Sequence, residues 1–191
     1  MKLIFLALFV VTLSGCITTY RDFPEASVGV KPQSGTCETL QFNVKRFDIL
    51  DAGGYNELRE VFKKSAICTK MVPVEEKADK GLYLEVNTKW KPITLPALVF
   101  GYLSVSTLTI LPAWSTQDGY IVDYDLYVDG VKKDAFKYDI TRKMGLWLPL
   151  LPLAWINAFT YSESEAFAAT ARQFSIDAQT YFGTKAATAS R

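Results

Sequence analysis

"YIVDYDLYVDGVKKDAFKYDIT", residues 120–141, is the stretch whose reading decides the fold. Tyr120, Val122, Tyr124 and Leu126 alternate with Asp123 and Asp125, the period of a strand with one buried face. Asp129-Gly130 marks a hairpin turn. A two-residue loop would pair even positions with odd ones and set Val122 and Tyr124 beside Lys137 and Ala135. A three-residue loop, 128–130, pairs even with even. Tyr120 then meets Tyr138, Val122 meets Phe136, and Asp125 meets Lys133. That register makes one apolar face and an opposite-charge pair, so it is the expected one, with Gly130 as the left-handed residue.

The same reasoning extends outward. "LYLEVNTKW", 82–90, puts Leu82, Leu84, Val86 and Trp90 on one face and Glu85, Asn87 and Lys89 on the other. Leu40, Phe42 and Val44 alternate within 38–46. After the "DAGG" turn at 51–54, Tyr55, Leu58, Val61 and Phe62 recur at helical spacing. Residues 67–74 form a short strand ending near Pro73. Strand, helix, strand is a crossover unit. Near the end, Ser162 and Glu165 are placed as a capping box. Phe167, Ala171, Phe174, Ala178 and Tyr181 follow as one apolar stripe, and Gly183 stops the helix. The expectation is an α+β fold: a mixed sheet of about five strands, two packed helices, and two apolar insertions at one end of the sheet. One domain would span 37–183, with a disordered tail at 184–191.

The insertions are "PITLPALVFGYLSVSTLTILPAWST", 92–116, and the run 144–161 that contains "GLWLPLLPLAW". Neither carries a charge. If strands 82–91, 119–128 and 131–141 form an antiparallel meander, both runs leave the sheet at the same end and make one apolar pole. Three readings are open: core, an exposed or shallowly inserted pole, and two membrane spans. Spanning breaks the sheet, and Pro96, Gly101, Pro112, Pro149 and Pro152 interrupt the runs. A large exposed apolar patch marks a contact site. Trp114, Trp147 and Trp155, with Tyr102 and Tyr161, suit a membrane interface. Leu148 and Leu151 are assigned to the same membrane or partner contact.

The chain opens "MKLIFLALFVVTLSGC". Lys2, the apolar 3–13 and the small pair Ser14-Gly15 make an export signal, 1–15, too short to span. Leu13-Ser14-Gly15-Cys16 resembles the lipobox of bacterial lipoproteins. The resemblance implies that Cys16 is acylated (palmitate-type chains) and begins the mature chain. By the same resemblance Ile17, standing where an inner-membrane retention Asp would stand, implies the periplasmic face of the outer membrane. Residues 16–36 then form a lipidated tether, with a reach of about 25 Å for some twenty coil residues. The "TLTILPAW" segment, the Tyr-rich Asp-Gly hairpin and "WLPLLP" together resemble small uncharacterised proteobacterial envelope lipoproteins. That resemblance implies an α/β envelope domain and no chemistry.

Of the three cysteines, Cys37 and Cys68 remain after Cys16. In an oxidising periplasm they are expected to pair, contributing about 3–4 kcal/mol on the chain-entropy model. With no His in the chain, Ser-His-Asp and Cys-His nucleophiles are excluded and a zinc site lacks ligands. Asp123 and Asp125 share a face, but Lys133 is their expected neighbour, which makes a solvated charged face. Asp48 and Asp51 do not match a calcium loop. There is no glycine-rich phosphate motif and no cofactor is expected. Lys+Arg number 21 and Asp+Glu 20, so without Lys2 the two balance, which argues against nucleic acid as a partner. The sequence therefore reads as a non-enzymatic, lipid-anchored accessory or structural protein. Its apolar pole would dock on membrane or on an envelope protein partner. The other reading is a periplasmic binding module for an apolar ligand.

Overall fold

In the computed structural model, residues 16–29, 37–47, 53–65 and 67–183 are described. The signal and lipobox residues before Cys16, Asp48 and Asp51, and the tail 184–191 lie outside them. The elements are β1 (Cys16–Arg21), a 3-10 turn (Glu25–Ser27), β2 (Cys37–Val44), α1 (Tyr55–Lys64), β3 (Cys68–Pro73) and β4 (Leu82–Lys91). There follow α2 (Leu95–Ser106), β5 (Ala113–Val128), β6 (Val131–Leu146), a 3-10 stretch (Leu148–Phe159), α3 (Glu163–Asp177) and α4 (Gln179–Gly183). The fold is α+β, with a mixed six-stranded sheet ordered β1-β6-β5-β4-β2-β3. The strand beyond the expected five is β1, and α2 and α4 are helices beyond the expected two. The described residues divide into two compact units: those within 22–90, 120–140 and 163–183 make one; those within 16–21, 91–119 and 141–162 make the other.

The larger unit is built from the periodic segments. β2 runs parallel to both β3 and β4, as a crossover through α1 requires. Cys37 and Cys68 are register partners at the starts of β2 and β3 and form a disulfide, with their Cα atoms 4.8 Å apart. Leu40, Phe42, Leu84, Val86, Val122, Tyr124 and Leu126 are buried on one sheet face. α1 covers it with Leu58 and Phe62, and α3 with Phe167, Ala171 and Phe174. Phe174 stacks on Tyr124 at 4.9 Å and meets Phe62 edge-on at 6.2 Å, arrangements that add to area burial. The "GG" of the 51–54 turn is required by space. Gly54 has φ 67°, and a Cβ there would fall 2.3 Å from the Phe167 ring.

Four sequence expectations are corrected here. Asp129 and Gly130 both have positive φ, 50° and 76°, which is the two-residue type I′ turn and not the three-residue loop. Yet Tyr138 meets Tyr124 ring to ring at 5.5 Å, and Phe136 meets Phe174 at 5.4 Å. The even faces do coincide, so a residue is bulged between the turn and Phe136. Asp125 accordingly pairs with Lys132 at 2.8 Å, not with Lys133. The last stripe ends on Phe182, which is buried, while Tyr181 is half-buried and donates its hydroxyl to Asp134. The helix breaks at Ala178 and restarts as α4, which turns the next apolar position inward. Residues 22–29, expected as tether, pack on this unit: Phe23 is buried and the Ser27 hydroxyl donates to Gln173 Oε1 at 2.5 Å.

The opposite sheet face carries charge. Asp123 pairs with Lys89 at 2.6 Å and Asp125 with Lys132, while Lys45 pairs with Glu85. The hydrogen bond that Lys89 donates to Asp123 raises the pKa of Lys89, and the one that Lys132 donates to Asp125 raises that of Lys132. Each carboxylate is held by its own cation, as expected of a solvated face.

Candidate membrane-contact site

The smaller unit contains Cys16 and both uncharged runs. The expected tether is a strand at its first residues: β1 lies antiparallel to β6, from Cys16 opposite Leu146 to Arg21 opposite Thr141. The edge of β1 is tied to the second run by two side chains, Asn157 and Thr160. Asn157 donates from Nδ2 to the Cys16 carbonyl at 2.7 Å, and its Oδ1 accepts the Thr18 N–H at 2.9 Å. Thr160 adds a hydroxyl donated to the Thr18 carbonyl at 2.9 Å. Sequence reasoning missed Asn157. The available signal was that it is the one side-chain amide in the whole of 144–161.

The first run forms α2. Thr94 precedes it in extended conformation and Pro96 occupies the first turn, where a missing N–H is harmless. No stripe is apolar in preference to another. Leu95, Leu98, Val99, Phe100, Tyr102, Leu103 and Val105 are all exposed, and Ser104 is the buried residue. A helix apolar all round is ordinarily enclosed by protein or by lipid. Twelve residues rise about 18 Å, short of a bilayer's hydrocarbon. Among the described residues no helix is long and apolar enough to cross a membrane.

Past α2 the chain makes a closed tip. Leu108 and Thr109 have φ of 51° and 65°, at a cost of about 1–2 kcal/mol each for residues with a Cβ. This conformation aims Leu108 outward, 81% exposed, with Ile110 64% exposed beside it. It also brings the second run in. The Leu148 N–H donates to the Thr109 carbonyl at 2.8 Å, and Trp147 Nε1 to the Ile110 carbonyl at 3.0 Å. The two runs thus meet. The first continues into β5, where Trp114 stacks on Phe100 at 5.1 Å. The second winds as 3-10 turns over Leu148–Phe159, with Pro149 at its start and Pro152 inside it, and Trp155 meets Phe159 edge-on at 5.9 Å.

Of the residues assigned to the contact, Trp114, Trp147 and Trp155 are exposed, whereas Leu148 and Leu151 are half-buried. The most exposed apolar side chains are others: Leu108, Phe159, Tyr102 and Leu95. The core reading of the runs does not hold, because their large side chains face outward. Among the described residues, charge in this unit is confined to its strands. Asp118 is fully buried, accepts the Ser115 hydroxyl at 2.5 Å, and is gripped by Arg142 through Nε at 2.8 Å and through Nη2. Such a pair is held by geometry and costs more to break than to lack.

Other chemistry is sparse. Among the described residues no group of three His, Cys, Asp or Glu is placed to hold a metal ion. A cleft of about 150 Å³ in the larger unit is lined by Asn43, Tyr55, Arg59 and Glu75 among others. Its polar groups engage each other: Arg59 donates to the Tyr55 hydroxyl at 2.8 Å and Asn43 to the Glu75 carbonyl at 2.7 Å.

Neither a family model nor a curated protein matches the chain. Among solved structures, a PelC dodecamer from Paraburkholderia phytofirmans is similar at 8% identity and TM-score 0.31, covering 83% of this chain and 97% of that one. A point variant of the same dodecamer gives 8% identity and TM-score 0.30, covering 88% and 100%. A likeness of this size carries no functional inference.

Proposed function

We propose that this is a lipid-anchored envelope protein, acylated at Cys16 and held at the periplasmic face of the outer membrane. It serves an accessory or structural role and docks through the exposed uncharged surface of its smaller unit. The observation that carries this reading is that the acylation position and both uncharged runs belong to one compact unit. The lipobox supports the anchor, and the outward Trp114, Trp147 and Trp155 support the contact. Catalysis finds no support in a chain without His, whose same-face carboxylates Asp123 and Asp125 are each paired with lysine. The apolar-ligand reading draws nothing from the polar cleft at Arg59 and Glu75. Acyl-chain labelling with membrane fractionation tests the anchor: the parent should be labelled and sediment with outer membrane, and Cys16→Ser should lose both. A labelled Cys16→Ser protein would defeat it.

A further inference from the structure

We infer that the occupant of the smaller unit's apolar surface is the lipid bilayer itself, entered shallowly by the Leu108–Ile110 tip in the leaflet that holds the acyl chain. This rests on the lipid-anchor reading for its choice of leaflet and on the tip's own backbone for its choice of solvent.

The backbone argument is the stronger. Exposed N–H groups in water need no protein partner, whereas in hydrocarbon each must be satisfied internally. At the tip every backbone N–H from 107 to 111 is spent inside the protein. The N–H groups of residues 107 to 111 donate in turn to Leu103, Val105, Ser104 and Thr107 carbonyls and to the Thr107 hydroxyl, at 2.7 to 3.3 Å. The next residue, Pro112, has no donor. The Trp147 indole N–H, exposed on the same surface, is likewise satisfied by the Ile110 carbonyl. A loop carrying Leu108 at 81% exposure thus leaves no backbone N–H from 107 to 111 open, as a lipid environment demands and a polar partner does not.

Placement is the second argument. Cys16 stands opposite Leu146, two residues before Leu148, which is bonded to Thr109. Asn157 holds the Cys16 carbonyl on the second run. An acyl chain attached at Cys16 therefore leaves from the apolar surface itself, with no free linker. A bilayer that takes the chain is in reach of the tip.

Leucine at a left-handed position gives the test its edge. Asn adopts φ > 0 more readily than Leu, so Leu108→Asn should keep or raise the thermal midpoint of the fold while removing the apolar tip. The acylated protein is reconstituted in phosphatidylethanolamine–phosphatidylglycerol vesicles in a Trp90→Phe background, which leaves the three tryptophans of the smaller unit. Brominated acyl chains then quench what they touch. Fluorescence should fall at least twofold in the parent, and Leu108→Asn with Ile110→Asn should lose most of that quenching with an unchanged midpoint and unchanged sedimentation. Parent protein that sediments with vesicles yet is quenched by less than a tenth would overturn the bilayer contact and leave the anchor standing. Equal quenching in the variant would overturn the tip. Intact mass reads acylation separately: an unacylated protein that is still quenched would remove the anchor and retain the bilayer contact. A photo-crosslinker at position 108 that captures protein and no lipid in cells would also overturn the proposal.

Discussion

The two units spend their aromatic residues in opposite ways. In the larger one, Phe62, Tyr124, Phe167 and Phe174 are fully enclosed, and rings meet rings across helix and sheet. In the smaller one, Tyr102, Trp114, Trp155 and Phe159 face outward, and what is enclosed is mostly polar: Ser104, Ser115, Asp118 and Thr141, beside Tyr20 and Ala113. β5 and β6 pass through both, so the same strands carry two burial rules. The difference teaches that hydropathy alone does not locate this core. Periodicity does, and the aperiodic segments, though more apolar, remain outside.

That contrast can be broken by truncation. Phe174→Ala should cost about 3–5 kcal/mol in denaturant unfolding, while Phe159→Ala, at 81% exposure, should change stability by no more than about 0.5 kcal/mol. Comparable losses would erase the distinction between the units. Next in size, Arg142→Met should cost about 3 kcal/mol, because Asp118 would stay buried without its cation. Chemical denaturation with a probe in the smaller unit, such as Trp147 fluorescence, reads it.

Alkaline pH sharpens the larger unit's side of the comparison. Burial pushes the Tyr124 phenol well above its ordinary value. Burial first, then the Asp177 carboxylate that accepts its hydrogen bond, does the same for Tyr138. A raised folded pKa means protons are held more tightly in the native state, so stability is intact below the unfolded value near 10 and falls as pH rises past it. The slope is about 1.4 kcal/mol per pH unit for each such phenol. Tyr124→Phe should flatten the fall of the thermal midpoint above pH 10, and an unchanged slope would contradict the burial argument.

The smallest effect concerns the join between β1 and the second run. Asn157→Ala should leave global stability within about 1–2 kcal/mol and speed hydrogen exchange of the Thr18 amide about tenfold. Unchanged exchange at Thr18 would mean that the amide is protected by something other than Asn157.

Where side chains alternate or recur every third and fourth residue, the sequence was legible. β4, the β5–β6 hairpin, α1, α3 and the crossover that joins Cys37 to Cys68 were all read from pattern. The hairpin turn was misread because a bulge restores parity after a two-residue loop, and no local residue advertises it. α2 has no polar face, so it offered no period to read. β1 was missed for a different reason: "CITTYR" is a strand only because of residues 141–146, far along the chain. At the candidate site the three tryptophans were legible as outward residues. Leu108 and Asn157 were not, since one depends on a left-handed backbone and the other on a partner in β1.

The pairing of β1 with β6 has a consequence for timing. Cys16 and Leu146 are register partners separated by most of the chain, and a contact of that span closes late, after the loop entropy of everything between has been met. Translation delivers Cys16 first and its partner strand far later. Throughout that interval no native neighbour exists to cover the backbone around Cys16. On the lipid-anchor reading, this leaves a processing enzyme free access to the cleavage and acylation position, and the arrival of β6 closes that window after the modification is complete.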